Sequence, residues 1–148
     1  MGSQKRSIEV SQRVEFSCSY ITPCDDDKYD LNSIHYKFEA TACGLSCYES
    51  TGRVISFEEF TKIICSIIPN KVFIYDTKDL NQCVLAKDFK DCGIFSYPFE
   101  GDISTERILE EISLMLVEAL QSYPDIYLKE TKLRENNNSY VSWKQEVE

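Results

Sequence analysis

The chain has 148 residues, with 25 acidic and 16 basic side chains and a formal net charge of −9. That length supports one domain, residues 1–148, with its own hydrophobic core, and a 43% hydrophobic fraction beside 28% charged residues excludes wholesale disorder. The negative charge excludes a protein that tracks nucleic-acid phosphates, which needs a basic face, and reads instead as an acidic, solubilising surface.

Met1–Arg6 is polar and no apolar run follows, so a secretory leader is not expected and residues 1–7 read as disordered. Gly2 offers an N-myristoylation start, but Arg6 stands where Ser or Thr is needed. Residues 8–20 read as a long strand, because Val14, Phe16, Cys18 and Tyr20 alternate with Glu15, Ser17 and Ser19. Pro23 and Asp25–Asp27 break it. A second strand follows near 33–44, where Ile34, Tyr36, Phe38 and Ala40 alternate with His35, Lys37, Glu39 and Thr41. Thr51-Gly52 marks a turn.

Ser56-Phe57-Glu58-Glu59 is a capping box that opens a helix over 56–68. Phe57, Phe60, Ile63, Ile64 and Ile67 form its stripe, and Pro69 ends it. Val72–Tyr75 and Ile94–Tyr97 read as short strands or extended loop. The polar stretch between them, with Asp76, Asp79, Asp88 and Asp91, reads as an acidic insertion or sheet edge. Asp102 or Ser104 caps a helix over 104–122, with Ile108, Leu109, Ile112, Leu116 and Leu120 facing the core, and Tyr123-Pro124 stops it. Strands at 125–132 and 138–145 flank Asn136-Asn137-Asn138, a triplet able to supply positive-φ turn positions.

This order predicts an α+β fold: a four-stranded antiparallel sheet with two helices packed side by side on one face. Such a sheet has two bare edges, which oligomerisation can cover. No apolar stretch approaches the roughly 20 residues needed to cross a bilayer, so no membrane partner is expected. Seven scattered cysteines fit reduced thiols and a cytoplasmic location. Cys43-x3-Cys47 has the look of half a zinc site without a second half. His35 is the single histidine, which limits both metal and general-base chemistry.

Five segments in order resemble the 6-pyruvoyl-tetrahydropterin synthase family, which includes the 6-carboxytetrahydropterin synthases. They are Val14–Tyr20, Leu31–Lys37, Thr51–Phe57, Asp102–Glu106 and Lys129-Glu130-Thr131, and the resemblance spans roughly residues 8–145. It implies the tunnelling fold and a ring-shaped homo-oligomer, a trimer or hexamer, or a mixed oligomer with a paralogue. The family binds zinc through three histidines, the first on a strand and two in a His-Gly-His motif. Those positions fall here on Tyr20, Asn32 and Ile34. A one-residue slide brings His35 onto the last of them but leaves Tyr20 and Ser33 on the others. Phenol, amide and alkyl groups do not make a zinc site, so the family zinc is expected to be absent and no cofactor is assigned.

The family's catalytic cysteine falls on Tyr29 and its Asp-His pair on Asn70-Lys71. Cys24, in the same loop as Tyr29, is a candidate replacement only if its thiol is activated. The resemblance retains a ligand anchor: Glu130 matches the strand glutamate that accepts two hydrogen bonds from the pterin's amidine-like edge. Ser104, Thr105 and Glu106 match the polar residues at the start of the second helix. Their plainer readings are a solvated strand carboxylate for Glu130, and capping and helix-dipole roles for the other three. Catalytic residues remain unassigned. The chain thus reads as a non-catalytic member that binds a pterin or purine-like ring or serves in assembly. The alternative is a divergent active synthase, a lyase of pterin biosynthesis.

Overall fold

The structure is a computed structural model that describes residues 8–25, 28–44, 55–123 and 126–145. The expectations for residues 1–7, Asp26-Asp27, Cys47, Thr51–Val54 and Pro124 lie outside the described residues. The elements run β1 (Ile8–Pro23), β2 (Tyr29–Gly44), α1 (Phe57–Ile67), β3 (Val72–Asp76), α2 (Leu80–Asp91), β4 (Ser96–Phe99), α3 (Thr105–Leu120), β5 (Ile126–Arg134) and β6 (Tyr140–Lys144).

β1 and β2 form a long antiparallel hairpin in register from Ile8↔Gly44 to Pro23↔Tyr29. β5 adds antiparallel to β2, and β6 to β5. These four are the strands expected from the sequence, the first two from period-2 alternation. The sheet does not stop there. β3 joins β1 in parallel at Cys18↔Val72 and Ser19↔Phe73, and β4 joins β3 in parallel. The sheet is therefore six-stranded and mixed, in the order β4-β3-β1-β2-β5-β6, with three helices. The expectation of a four-stranded antiparallel sheet with two helices on one face is corrected on each count. The reason is connectivity: two parallel neighbours cannot be joined by a tight turn, and the 12-residue α2 supplies the crossover from β3 to β4.

Strand alternation separates the two faces. One face carries Phe16, Cys18, Tyr20, Tyr36, Phe38, Ala40, Ile74 and Leu133, all buried against α1 and α3. Phe60 and Ile64 enter from α1, and Ile108, Leu109, Ile112, Leu116 and Leu120 from α3. Inside this core, Ser113 on α3 bonds Thr131 on β5 at 2.6 Å, so both buried hydroxyls are satisfied. The other face of β1 and β2 is polar. Ser11 bonds Thr41 at 2.7 Å, Arg13 meets Glu39 at 2.6 Å, and Ser17 meets His35 at 2.9 Å. At its β3 end, Ile21 and Phe73 are covered by Ala86, Leu85 and Phe89 of α2, so helices lie on both faces.

The expected helix starts hold. Ser56 accepts from the Glu59 N–H at 3.1 Å, and Ser104, not Asp102, caps α3 by accepting from Arg107 N–H at 3.2 Å. α2 escaped the period-3.6 reading because its inward apolar set is short, Leu85, Ala86 and Phe89, and two of its apolar residues face solvent. Leu80 and Val84 are exposed, whereas Gln82 is 4% exposed. Gln82 is held by polar bonds: its Oε1 accepts from Asp76 N–H at 2.8 Å and its Nε2 donates to Asp79 at 3.2 Å. The Asn136–Asn138 turn uses no positive φ. Asn136 Oδ1 instead accepts from the N–H groups of Asn138 and Ser139 at 2.8 and 3.0 Å.

α2 ends in a Schellman motif. Gly93, at φ +86°, donates to Lys90 O at 3.0 Å, and Ile94 donates to Phe89 O at 2.8 Å. Nothing lies within 4 Å of a Cβ built on Gly93, so Gly93→Ala meets only the backbone penalty. We expect a loss of about 1 kcal/mol, read as a lower urea midpoint at unchanged m-value. An unchanged midpoint would show that this helix end bears no left-handed strain.

Candidate functional site

The start of α3 meets the far end of the β5–β6 hairpin. Between them is a cavity of about 190 Å³ lined by Thr105, Glu106, Leu133, Glu135, Ser139, Tyr140 and Val141. Thr105 is fixed from below, since its Oγ1 pairs with the buried Tyr36 hydroxyl at 2.9 Å. Tyr20 lies on the same face as Tyr36. Burial and then the carboxylate of Glu135 push the Tyr20 phenol up, with Glu106 adding to the shift and a hydrogen bond from Tyr36 opposing it. Burial also pushes the Tyr36 phenol up, the Thr105 hydrogen bond acting against it. Both phenols are therefore neutral donors near neutral pH. The mouth presents two carboxylates and several hydroxyls, a set suited to accepting hydrogen bonds from an N–H-rich edge.

Of the residues singled out in the sequence, Thr105 and Glu106 come together in this cavity. Ser104 does not line it; its side chain is committed to capping α3. Glu130 is elsewhere. It pairs across β2 with Thr41 and across β6 with Lys144, on the face opposite Leu133 and Thr131. Glu130 and the α3 start thus do not share a pocket within one chain. Tyr36, Glu135, Ser139 and Tyr140 were missed. Alternation marks Tyr36 as core, and only the turn geometry brings Glu135 and Ser139 back beside α3.

The three positions matching the family's zinc ligands do share one face. Tyr20 and Asn32 are cross-strand partners, and Ile34 pairs with Cys18 two residues along. Asn32 Nδ2 is engaged with Tyr20 O at 3.4 Å and Thr22 Oγ1 at 3.2 Å. Donor for donor this set does not fit zinc: a neutral buried phenol, an amide used as a donor, and an alkyl chain. His35 points to the opposite face, where Ser17 and, at 3.6 Å, Glu15 meet its ring. Among the described residues, no group of three or more His, Cys, Asp or Glu side chains is arranged to hold a metal.

The positions of the family's base are likewise built into the fold. The Tyr29 hydroxyl accepts from Asn81 Nδ2 at 3.1 Å, beside the start of α2. Asn70 Oδ1 accepts from Ser17 N–H at 3.1 Å, and Lys71, at φ +57°, donates its backbone N–H to Ser17 O at 2.6 Å. Together they clip the α1–β3 connection onto β1. Cys24 is exposed, and partial desolvation together with the neighbouring Asp30 pushes its thiol up, the opposite of activation.

The fold is of the 6-pyruvoyl tetrahydropterin synthase type. No protein-family model and no curated protein sequence matches the chain, so the likeness is carried by solved structures. 6-Pyruvoyl tetrahydropterin synthase from Plasmodium vivax is similar at a TM-score of 0.65 and 15% identity, over 96% of this chain and 99% of its own. The Caenorhabditis elegans 6-pyruvoyl tetrahydropterin synthase gives 0.65 and 11%, over 98% and 100%. An uncharacterized protein from Wolinella succinogenes gives 0.73 and 12%, over 95% and 99%. At these identities the likeness is one of fold. No helix is long and apolar enough to cross a membrane among the described residues.

Proposed function

We propose that this chain is a 6-pyruvoyl tetrahydropterin synthase-like protein without the zinc-dependent lyase activity, retained for binding a pterin or purine-like ring or for assembly. One observation carries the reading: the positions that resemble the family's metal and base groups are occupied by Tyr20, Asn32, Ile34, Tyr29, Asn70 and Lys71, and all but Ile34 make hydrogen bonds within the fold instead. Loss of a metal removes several kcal/mol of transition-state stabilisation. Loss of a positioned base removes roughly another 10²–10⁴ in rate.

Self-association into a trimer or hexamer, or a mixed oligomer with a paralogue, belongs to the same proposal. β3 covers β1 only at Cys18 and Ser19, so among the described residues Ile8–Phe16 has a strand partner on one side only, as does β6. Bare edges of this kind favour pairing between chains. Because Glu130 and Thr105–Glu106 occupy opposite faces, a common ring site needs a second subunit.

The test combines metal content, activity and titration with neopterin or biopterin on the purified protein. We expect substoichiometric zinc, no lyase turnover, and a ring-sized oligomer by light scattering. Stoichiometric zinc that is lost on mutating Asn32 or His35, together with turnover, overturns the non-catalytic reading in favour of a divergent active lyase. A stable monomer at micromolar concentration overturns the assembly part.

A further inference from the structure

The largest cavity described, about 620 Å³, lies away from the α3 site, between α2 and the segment entering β4. α2 contributes Cys83, Ala86, Lys87 and Lys90, the i, i+3, i+4, i+7 spacing of one helix face. The Schellman reversal at Gly93 then turns the chain so that Ile94 and Phe95 join the same wall. Phe95 is 78% exposed, which leaves an aromatic face beside the cavity without a protein neighbour to cover it.

The two lysines are notable in a chain of net charge −9. Among the described residues neither has a carboxylate within 4.0 Å, as holds for most lysines here; Lys78 and Lys129 are the paired ones. The cavity lining contains no Asp or Glu, and Asp88 and Asp91 of α2 are not part of it, so the two ammonium groups are the charged groups at this wall and favour an anion there. An apolar wall with two convergent cations matches one kind of occupant: a small molecule with a flat apolar body and an anionic end. An extended peptide added to the sheet fits less well. Pro98 sits in the free edge strand β4 and removes a backbone donor that strand addition would use.

We infer that the α2–β4 cavity binds a small aromatic oxyanion, its ring against Phe95 and Ile94 and its anionic group between Lys87 and Lys90. This site is separate from the pterin reading and does not depend on it.

The probe is 2-naphthoate, compared with its uncharged relative 2-naphthylmethanol, followed by backbone amide NMR on the full chain. The expected result is saturable 1:1 binding of naphthoate, with shifts centred on Lys87, Lys90 and Phe95. The alcohol should bind roughly tenfold more weakly or worse. Lys87→Gln/Lys90→Gln should lose naphthoate affinity by a similar factor without changing the affinity for the alcohol, and Phe95→Ala should weaken both probes. All three residues are exposed, so the variants are expected to keep the wild-type melting curve, which circular dichroism checks. Absence of saturable binding at millimolar naphthoate overturns the inference. So do equal affinities for acid and alcohol, an unchanged affinity in the double glutamine variant, or shifts centred on Thr105 and Glu106.

Discussion

Leu133→Ala is expected to cost about 2–5 kcal/mol of stability. Leu133 is fully buried on β5, opposite Phe38 of β2 and Val141 of β6, and it also forms a wall of the cavity at the start of α3. Truncation removes buried apolar surface and leaves a void that the flanking strands, held by backbone bonds on both sides, cannot close. Urea unfolding should show a lower midpoint with an unchanged slope. Leu133→Met, which nearly conserves volume, should lose less than about 1.5 kcal/mol. Equal losses in the two variants would mean that packing at this position is not what stabilises β5. Because the same side chain walls the candidate site, the alanine variant should also enlarge that cavity.

Glu130→Gln is expected to weaken binding of a pterin by about 1.5–3 kcal/mol, if the proposed ring site is correct. Glutamine keeps the shape but replaces one acceptor oxygen with a donor NH₂ and removes the charge. The amidine-like edge of the ring offers two donors, so one bond is lost and a donor faces a donor. Titration calorimetry of both proteins decides the matter. Equal affinity in the two would place the ring elsewhere, with Thr105, Glu106 and Glu135 the next carboxylate and hydroxyl set to test. Binding by neither would leave assembly as the role.

The sequence was legible where a side chain's burial followed its hydropathy. Phe16, Tyr36 and Phe38 alternate with polar neighbours and lie on the core face, and the stripe from Ile108 to Leu120 packs as a helix should. Ser56 and Ser104 cap the helices whose starts they mark. It was illegible where polar bonds replaced apolar contact. α2 buries Gln82 and exposes Leu80 and Val84, so no periodicity signalled it, although Asp79 and Gly93 bracket it as cap residues. The parallel strands β3 and β4 were too short to alternate convincingly. At the candidate site, Thr105 and Glu106 were found through local resemblance. Tyr36 and Glu135 join them through strand register and a turn, which no local pattern encodes.

Beneath α2 the buried side chains are Ile21, Phe73 and Ala86, whereas β3 and β4 are anchored in the main core through Ile74 and Phe99. The ties of α2 to β3 include the polar bonds among Asp76, Asp79 and Gln82. A helix with so little apolar anchorage has a lower opening free energy than the β1–β2–β5 sheet and α3, and its amides are expected to exchange with solvent through sub-global opening while those of the core await global unfolding. An occupant of the α2–β4 cavity would therefore slow exchange in α2 first, by mass action on its closed form. The molecule would then have two levels of cooperativity: a core that sets when the chain unfolds, and a peripheral helix whose breathing is open to chemical control.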